Sequence, residues 1–190
     1  MPYTNYWNHP ENPVEQLFWG RVKVERAVSF LFFEKGSIFQ HLFHELKYNG
    51  KKELGILFGR LFGKKLTESN FDNTIDVIVP VPLHKSRQRK RGYNQSEQIA
   101  IGISESLKKP VCNHLLIRQI ASKTQTRRSR YERWQNVEGI FKCTDQQFLE
   151  NKHVLIVDDV ITTGATTEAL IQEIAGINNI KISVATLAIA

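Results

Sequence analysis

Two adjacent carboxylates, Asp158 and Asp159, close the apolar run Val154-Leu155-Ile156-Val157 and are followed by Val160-Ile161-Thr162-Thr163-Gly164-Ala165-Thr166-Thr167. In an open α/β sheet, ligands sit beyond the carboxyl ends of the strands. An acidic pair there can accept hydrogen bonds from vicinal sugar hydroxyls or hold a hydrated Mg²⁺. Thr162, Thr163, Gly164, Ala165, Thr166 and Thr167 offer amide and hydroxyl donors around a flexible glycine, and the helix that follows points its positive end at the same place. The segment therefore has the chemistry of a cradle for a phosphorylated small molecule. A strand end followed by a simple helix cap is the plain alternative, but it leaves two like charges side by side with no reason. A receiver domain also opens with a strand ending in two aspartates. There the pair lies near the start of the domain, whereas here only one helix and one strand follow it.

The elements that must position this segment are legible from hydrophobic period and breakers. Residues 1–20 are rich in Pro, Asn and aromatic residues and read as an extended, irregular arm. Val22 to Phe33 predicts one or two strands, and Ser37 can cap a helix over Ile38–Tyr48. A second helix is predicted from Lys51 to Leu66. Gly55, Gly59 and Gly63 form a stripe on it that reads as a close helix contact. It is no membrane dimer motif, because lysines and an arginine flank too short an apolar core. Nor is it a P-loop, since Lys65 stands where Ser or Thr is needed. Ile75–Val81 predicts a buried strand, Asn94–Leu107 a helix, Leu115–Ile117 a short strand and Ile120–Arg130 a long basic loop. His153–Val157 predicts a strand, Thr166–Ala175 a helix and Ile180–Ile189 a closing strand. The alternation argues for an α/β fold with a mainly parallel, twisted sheet flanked by helices. Two parts are expected: residues 1–70 as an N-terminal arm and strand/helix segment on or extending the core, and residues 71–190 as the ligand-binding domain.

A formal charge of +7 and a pI near 9.5 suit anionic partners, either a phosphorylated small molecule or nucleic acid. The charge is clustered. Lys85, Arg87, Arg89, Lys90 and Arg91 follow the strand ending at Val81, and Lys123, Arg127, Arg128, Arg130 and Arg133 occupy the long loop and its exit. Tyr93 and Trp134 stand beside these clusters, where they serve either as core anchors or as stacking surfaces for single-stranded nucleic acid. Cys112 and Cys143 are far apart and form no CxxC pair, so neither a zinc ribbon nor a disulfide framework is expected. His41 and His44 lie three apart on a helix with no further ligand nearby. No run reaches membrane-spanning length and no leader pattern is present, which makes the cytoplasm the expected location.

The stretch from Val154 to Thr167 closely resembles the ligand motif of type I phosphoribosyltransferases, enzymes that use 5-phosphoribosyl-1-pyrophosphate (PRPP). A second resemblance is narrower. Val79-Pro80-Val81-Pro82-Leu83-His84-Lys85-Ser86-Arg87, Arg91-Gly92-Tyr93-Asn94-Gln95, then Arg118, Thr124-Gln125, Arg130, Arg133, Asn136, Gly139 and Phe141 are similar to the pattern of ComF-like proteins, the competence-associated branch of that fold. The resemblance covers most of the chain from about Leu17. It implies that Asp158 and Asp159 are the catalytic pair, holding the ribose 2′- and 3′-hydroxyls and Mg²⁺. It further implies that Thr162 to Thr167 hold the 5′-phosphate, and that Leu83, His84, Lys85 and Arg87 meet the pyrophosphate. Arg118, Thr124, Gln125, Arg130 and Arg133 would belong to a flap over PRPP. The implied activity is phosphoribosyl transfer to a nitrogen nucleophile with loss of pyrophosphate. The alternative is an accessory competence protein that keeps the fold and handles single-stranded DNA. Where 6-oxopurine members carry an aspartate base, this chain has Thr162, so purine salvage is not expected. ComF-like proteins commonly begin with a cysteine-rich zinc module; this chain departs from that pattern, and no zinc is expected. The acceptor is not legible, and a homodimer is among the assemblies left open.

Overall fold

The computed structural model describes residues 2–33, 45, 51–71, 73–120 and 139–190. The predicted helix over Ile38–Tyr48, Glu45 apart, and the loop residues Lys123, Thr124, Gln125, Arg127, Arg128, Arg130, Arg133 and Trp134 lie outside them, as do His41 and His44.

A four-stranded sheet carries the molecule. Its strands are β1 (Arg26–Phe32), β2 (Val77–Pro80), β5 (His153–Ile161) and β6 (Lys181–Ile189), in the spatial order β1-β6-β5-β2 and parallel throughout. A small antiparallel pair, β3 (Leu116–Arg118) with β4 (Phe141–Cys143), lies apart from it. Alternate residues of β5 face opposite ways, as a strand requires. Leu155 and Val157 pack with Phe58 and Phe62 of α2 (Lys52–Glu68) and with Ile99 and Ile103 of α4 (Gln95–Leu107). Val154 and Ile156 pack with Leu170, Ile171 and Ile174 of α6 (Ala165–Ile174). The result is helices on both faces of a parallel sheet, whose central strands read as continuous apolar runs because both faces are covered. No helix among the described residues is long and apolar enough to cross a membrane.

The glycine stripe on α2 is a helix crossing. A Cβ built on Gly59 would overlap the carbonyl oxygen of Ile99, and one on Gly63 would come within 2.8 Å of Ser106 Cβ. The crossing is reciprocal, since a Cβ on Gly102 of α4 would overlap the carbonyl of Ile56. Helix α4 begins cleanly: Asn94 caps it by accepting from the Ser96 amide at 3.2 Å, and its own side-chain amide donates to the Val81 carbonyl at 2.9 Å. Lys108 in the left-handed region ends it, ahead of Pro110.

Two expectations need correction, and an open one is decided. The first twenty residues are not an irregular arm. A 3₁₀ turn (Tyr6–Asn8) and helix α1 (Pro13–Gln16, capped by Asn12) bury Trp7, Val14 and Phe18, and residues 2–4 bond along the outer edge of β1. Aromatic burial fixes a segment whose composition alone reads as loop. The β5 ladder does not stop at Val157 but runs to Ile161 opposite Ile189, so the acidic pair lies within the strand's pairing rather than after it. Tyr93, left open between core anchor and stacking surface, is a core anchor: it is buried against the α2/α4 core, with Lys52 Nζ 5.5 Å from its ring centroid.

Candidate functional site

The carboxyl end of β2 lies beside the middle of β5. Pro80 pairs with Val157, and the Val81 amide donates to the Val157 carbonyl at 2.8 Å. The loop leaving β2 therefore starts beside Asp158. Pro80 is tolerated because β2 is an edge strand of this sheet.

Asp158 and Asp159 are half-buried. Asp158 Oδ1 accepts from the Ser96 hydroxyl at 2.9 Å and from the Asp159 amide at 2.8 Å; Asp159 Oδ1 accepts from the Val160 amide at 2.7 Å. Each carboxylate thus has one oxygen engaged in a bond that orients it. The arrangement fits a sugar diol or a hydrated cation. Among the described residues no group of three or more His, Cys, Asp or Glu could hold a metal ion. Mg²⁺ suits such a site, because it keeps waters and takes one or two carboxylates together with phosphate oxygens.

From Ile161 the chain turns through Thr162 and Thr163 into Gly164, whose φ of 75° is the left-handed conformation glycine adopts without strain. Gly164 is the N-cap of α6, and no side chain caps this helix start. Its first amides therefore lack intrahelical acceptors and lie at the positive end of the helix dipole. Asp158, Val160, Ile161 and Thr162 to Thr167 line a hollow of about 70 Å³. That is several times the roughly 10–15 Å³ one water needs. Thr162, Thr163, Ala165 and Thr166 are exposed there, while Thr167 is buried. The expected phosphate residues are thus gathered around one concavity with Asp158 on its wall.

On the other side of Asp158 lies the basic loop. His84 Nδ1 accepts from the Ser86 amide at 3.3 Å, lies 2.8 Å from its hydroxyl, and so starts the short helix α3 (Lys85–Arg91). Lys85, Arg87, Arg89 and Lys90 are exposed on it; Arg91 is half-buried and donates to Gln95 Oε1 at 2.9 Å. Arg118 from β3 sits over the Phe141 ring at 5.3 Å. Burial pulls its guanidinium pKa down, Arg87 pulls it further, and Asp158 opposes both. Arg87, Arg118 and Asp158 accordingly share one electrostatic neighbourhood. Leu83, His84, Lys85 and Arg118 line a cleft of about 470 Å³ between the basic loop and β3. Of the expected flap residues, Arg118 is placed here; Thr124, Gln125, Arg130 and Arg133 are outside the described residues.

Two contributors escaped the sequence reading. Ser96 reaches Asp158 from the first turn of α4. Arg21, next to the arm, donates to the Thr163 carbonyl at 2.9 Å and to the Leu17 carbonyl at 2.8 Å.

Residues 51–189 match the family model described as "Phosphoribosyl transferase domain". Competence protein F of Haemophilus influenzae is 37% identical over 92 residues, 48% of this chain and 40% of that protein. DNA utilization protein YhgH of Escherichia coli K12 is 30% identical over 134 residues, 69% of this chain and 58% of its own length. Competence protein ComFC of Bacillus subtilis is 35% identical over 109 residues, 57% of this chain and 40% of the relative. The chain thus spans about half the length of these relatives. With the parallel sheet and the acidic strand-to-loop segment in place, the match identifies the chain as a ComF-like member of the type I phosphoribosyltransferase family.

Proposed function

We propose that this site binds PRPP with Mg²⁺ and transfers its phosphoribosyl group to a nitrogen nucleophile, with pyrophosphate leaving. One observation carries the reading: the acidic pair of β5 runs directly into an uncapped helix start that encloses a phosphate-sized hollow. In this reading the amides and hydroxyls from Thr162 to Thr167 bind the 5′-phosphate. Asp158 and Asp159 accept from the ribose hydroxyls and hold hydrated Mg²⁺, whose charge offsets that of the pyrophosphate. Leu83 and His84 offer backbone groups to the pyrophosphate, and Lys85, Arg87 and Arg118 neutralise it. Thr162 has no side chain able to act as a base near neutral pH, so hypoxanthine and guanine should be poor acceptors. The test is calorimetry with PRPP, with and without Mg²⁺, on the wild type and on Asp158→Asn/Asp159→Asn. The double variant should lose most of the affinity, since each hydrogen bond to a carboxylate is worth about 1.5–3 kcal/mol. Equal affinity in both proteins defeats the assignment.

A second reading is favoured by the exposed cations of α3 and by the relatives' names, which speak of competence and DNA utilization. Here the protein is an accessory competence factor that takes single-stranded DNA along the same positive mouth. PRPP binding without any acceptor-dependent release of pyrophosphate favours this second reading.

A further inference from the structure

The loop from Thr162 to Gly164 has no side chain capping it from α6, yet it must hold a set conformation if its amides are to converge. What holds it comes from the other end of the chain. Arg21 Nη1 donates to the Thr163 carbonyl at 2.9 Å and to the Leu17 carbonyl at 2.8 Å, while Nη2 pairs with Glu168 in the first turn of α6. One guanidinium therefore ties three things: the turn after α1, the loop, and the helix start. Beneath it, Phe18 is fully buried, and its ring lies 3.4 Å from where a Cβ on Gly164 would be. That is an ordinary contact distance; it is the φ of 75° that leaves Gly164 no strain-free substitute.

The consequence is directional. No cis peptide bond occurs among the described residues. In a trans peptide the carbonyl and the following N–H point opposite ways. An arginine that holds the Thr163 carbonyl therefore turns the Gly164 N–H away from itself. Glu168 matches the Arg21 charge, so Arg21 acts on the loop by geometry rather than by adding a free positive charge.

We propose that Arg21 is a positioning residue for the phosphate-binding loop: it presets the Thr163–Gly164 peptide so that the loop's amides are aligned before an anion arrives. This rests on the reading of that loop as a phosphate site, but the preset itself can be tested without any ligand. Amide hydrogen exchange on the ligand-free protein should show faster exchange at the Glu168 amide, which donates to the Gly164 carbonyl at 2.8 Å, in Arg21→Gln than in the wild type, with β2 and β6 unchanged. Arg21→Lys should recover only part of the protection, since an ammonium cannot form the planar fork that spans two carbonyls and a carboxylate. Unaltered exchange in Arg21→Gln, or a loss of protection spread over the whole sheet, overturns the proposal. Calorimetry with ribose 5-phosphate is the second arm. Preorganisation lowers the ordering cost of binding, so Arg21→Gln should bind about tenfold more weakly at an unchanged melting temperature. Glu168→Gln, which leaves the carbonyl bonds in place, should stay within about threefold of the wild type, a difference of well under 1 kcal/mol. If the wild type binds no ribose 5-phosphate, the phosphate reading fails while the exchange result still decides the preset. If it binds and Arg21→Gln binds equally well, the preset fails alone.

Discussion

The Ser96 hydroxyl donates to Asp158 Oδ1 across 2.9 Å, joining the first turn of the helix after the basic loop to the carboxylate of the central strand. This bond orients the Asp158 carboxylate. It also links the two loops that the proposed function needs to act together. Ser96→Ala should therefore weaken Mg²⁺–PRPP binding by about tenfold, because a hydrogen bond to a charged group is worth roughly 1.5–3 kcal/mol and part of it is recovered by water. The melting temperature should hardly move. Titration calorimetry checks both halves, and a variant that binds like the wild type removes Ser96 from the site.

The α2/α4 crossing predicts an unusual sign for a helix substitution. Alanine is normally better than glycine in a helix interior by about 1 kcal/mol. At Gly102 the added methyl would overlap the Ile56 carbonyl and meet the Arg60 amide nitrogen at 2.7 Å. Overpacking of this kind costs about 1–3 kcal/mol or more. Gly102→Ala should thus lower the unfolding free energy by about 2 kcal/mol in urea titrations, with ligand affinity retained.

His153 supplies a pH dependence. Its Nδ1 meets Thr74 Oγ1 at 2.8 Å and its Nε2 meets Ser183 Oγ at 2.9 Å, and burial depresses its pKa; Lys181 lowers it further, while Glu25 and Asp76 oppose. The folded protein therefore keeps the ring neutral below the unfolded value of about 6.5. Under that pH the unfolded chain takes up a proton the folded one refuses, so stability falls as the pH drops from about 6.5 toward the depressed folded value. The slope from this group cannot exceed about 1.4 kcal/mol per pH unit. His153→Gln should flatten the loss between pH 7 and 5 relative to the wild type in paired urea titrations.

The DNA reading makes a salt prediction. If Arg87 and Arg89 contact single-strand phosphates, log affinity for a labelled oligothymidine should fall with log salt by about 0.7 per contact. Arg87→Glu/Arg89→Glu should shrink that slope, and PRPP should compete. Anisotropy across a salt series measures this. Binding that neither the variant nor PRPP changes separates DNA handling from this mouth.

The acidic pair, the Thr/Gly loop and the parallel sheet were legible because each depends on local chemistry: an apolar run, a charge pair, a turn glycine. Gly59 and Gly63 were legible as a stripe for the same reason. Gly102, their partner across the crossing, was not, because it is a lone glycine whose meaning comes from another helix. Ser96 and Arg21 were hidden likewise. Ser96 lies 62 residues from Asp158, and Arg21 lies 142 from Thr163. The N-terminal segment was misread because its order comes from Trp7 and Phe18 packing against residues far along the chain. Tyr93 sits among arginines in sequence, yet its ring turns inward to α2.

Strand β1 pairs on its inner side with β6; Ser29 and Thr186, whose hydroxyls lie 3.1 Å apart, are separated by 157 residues of chain. At roughly 5–20 residues per second, a ribosome needs about ten to thirty seconds to span that interval. Strand β1 must therefore wait, unpaired on the side that β6 will occupy, until the elements between the two have been made. Loop closure over so long a separation is intrinsically slow. A nascent chain of this protein is consequently exposed to chaperones and proteases through Ala27 to Leu31, an apolar segment whose shelter is synthesised 157 residues later.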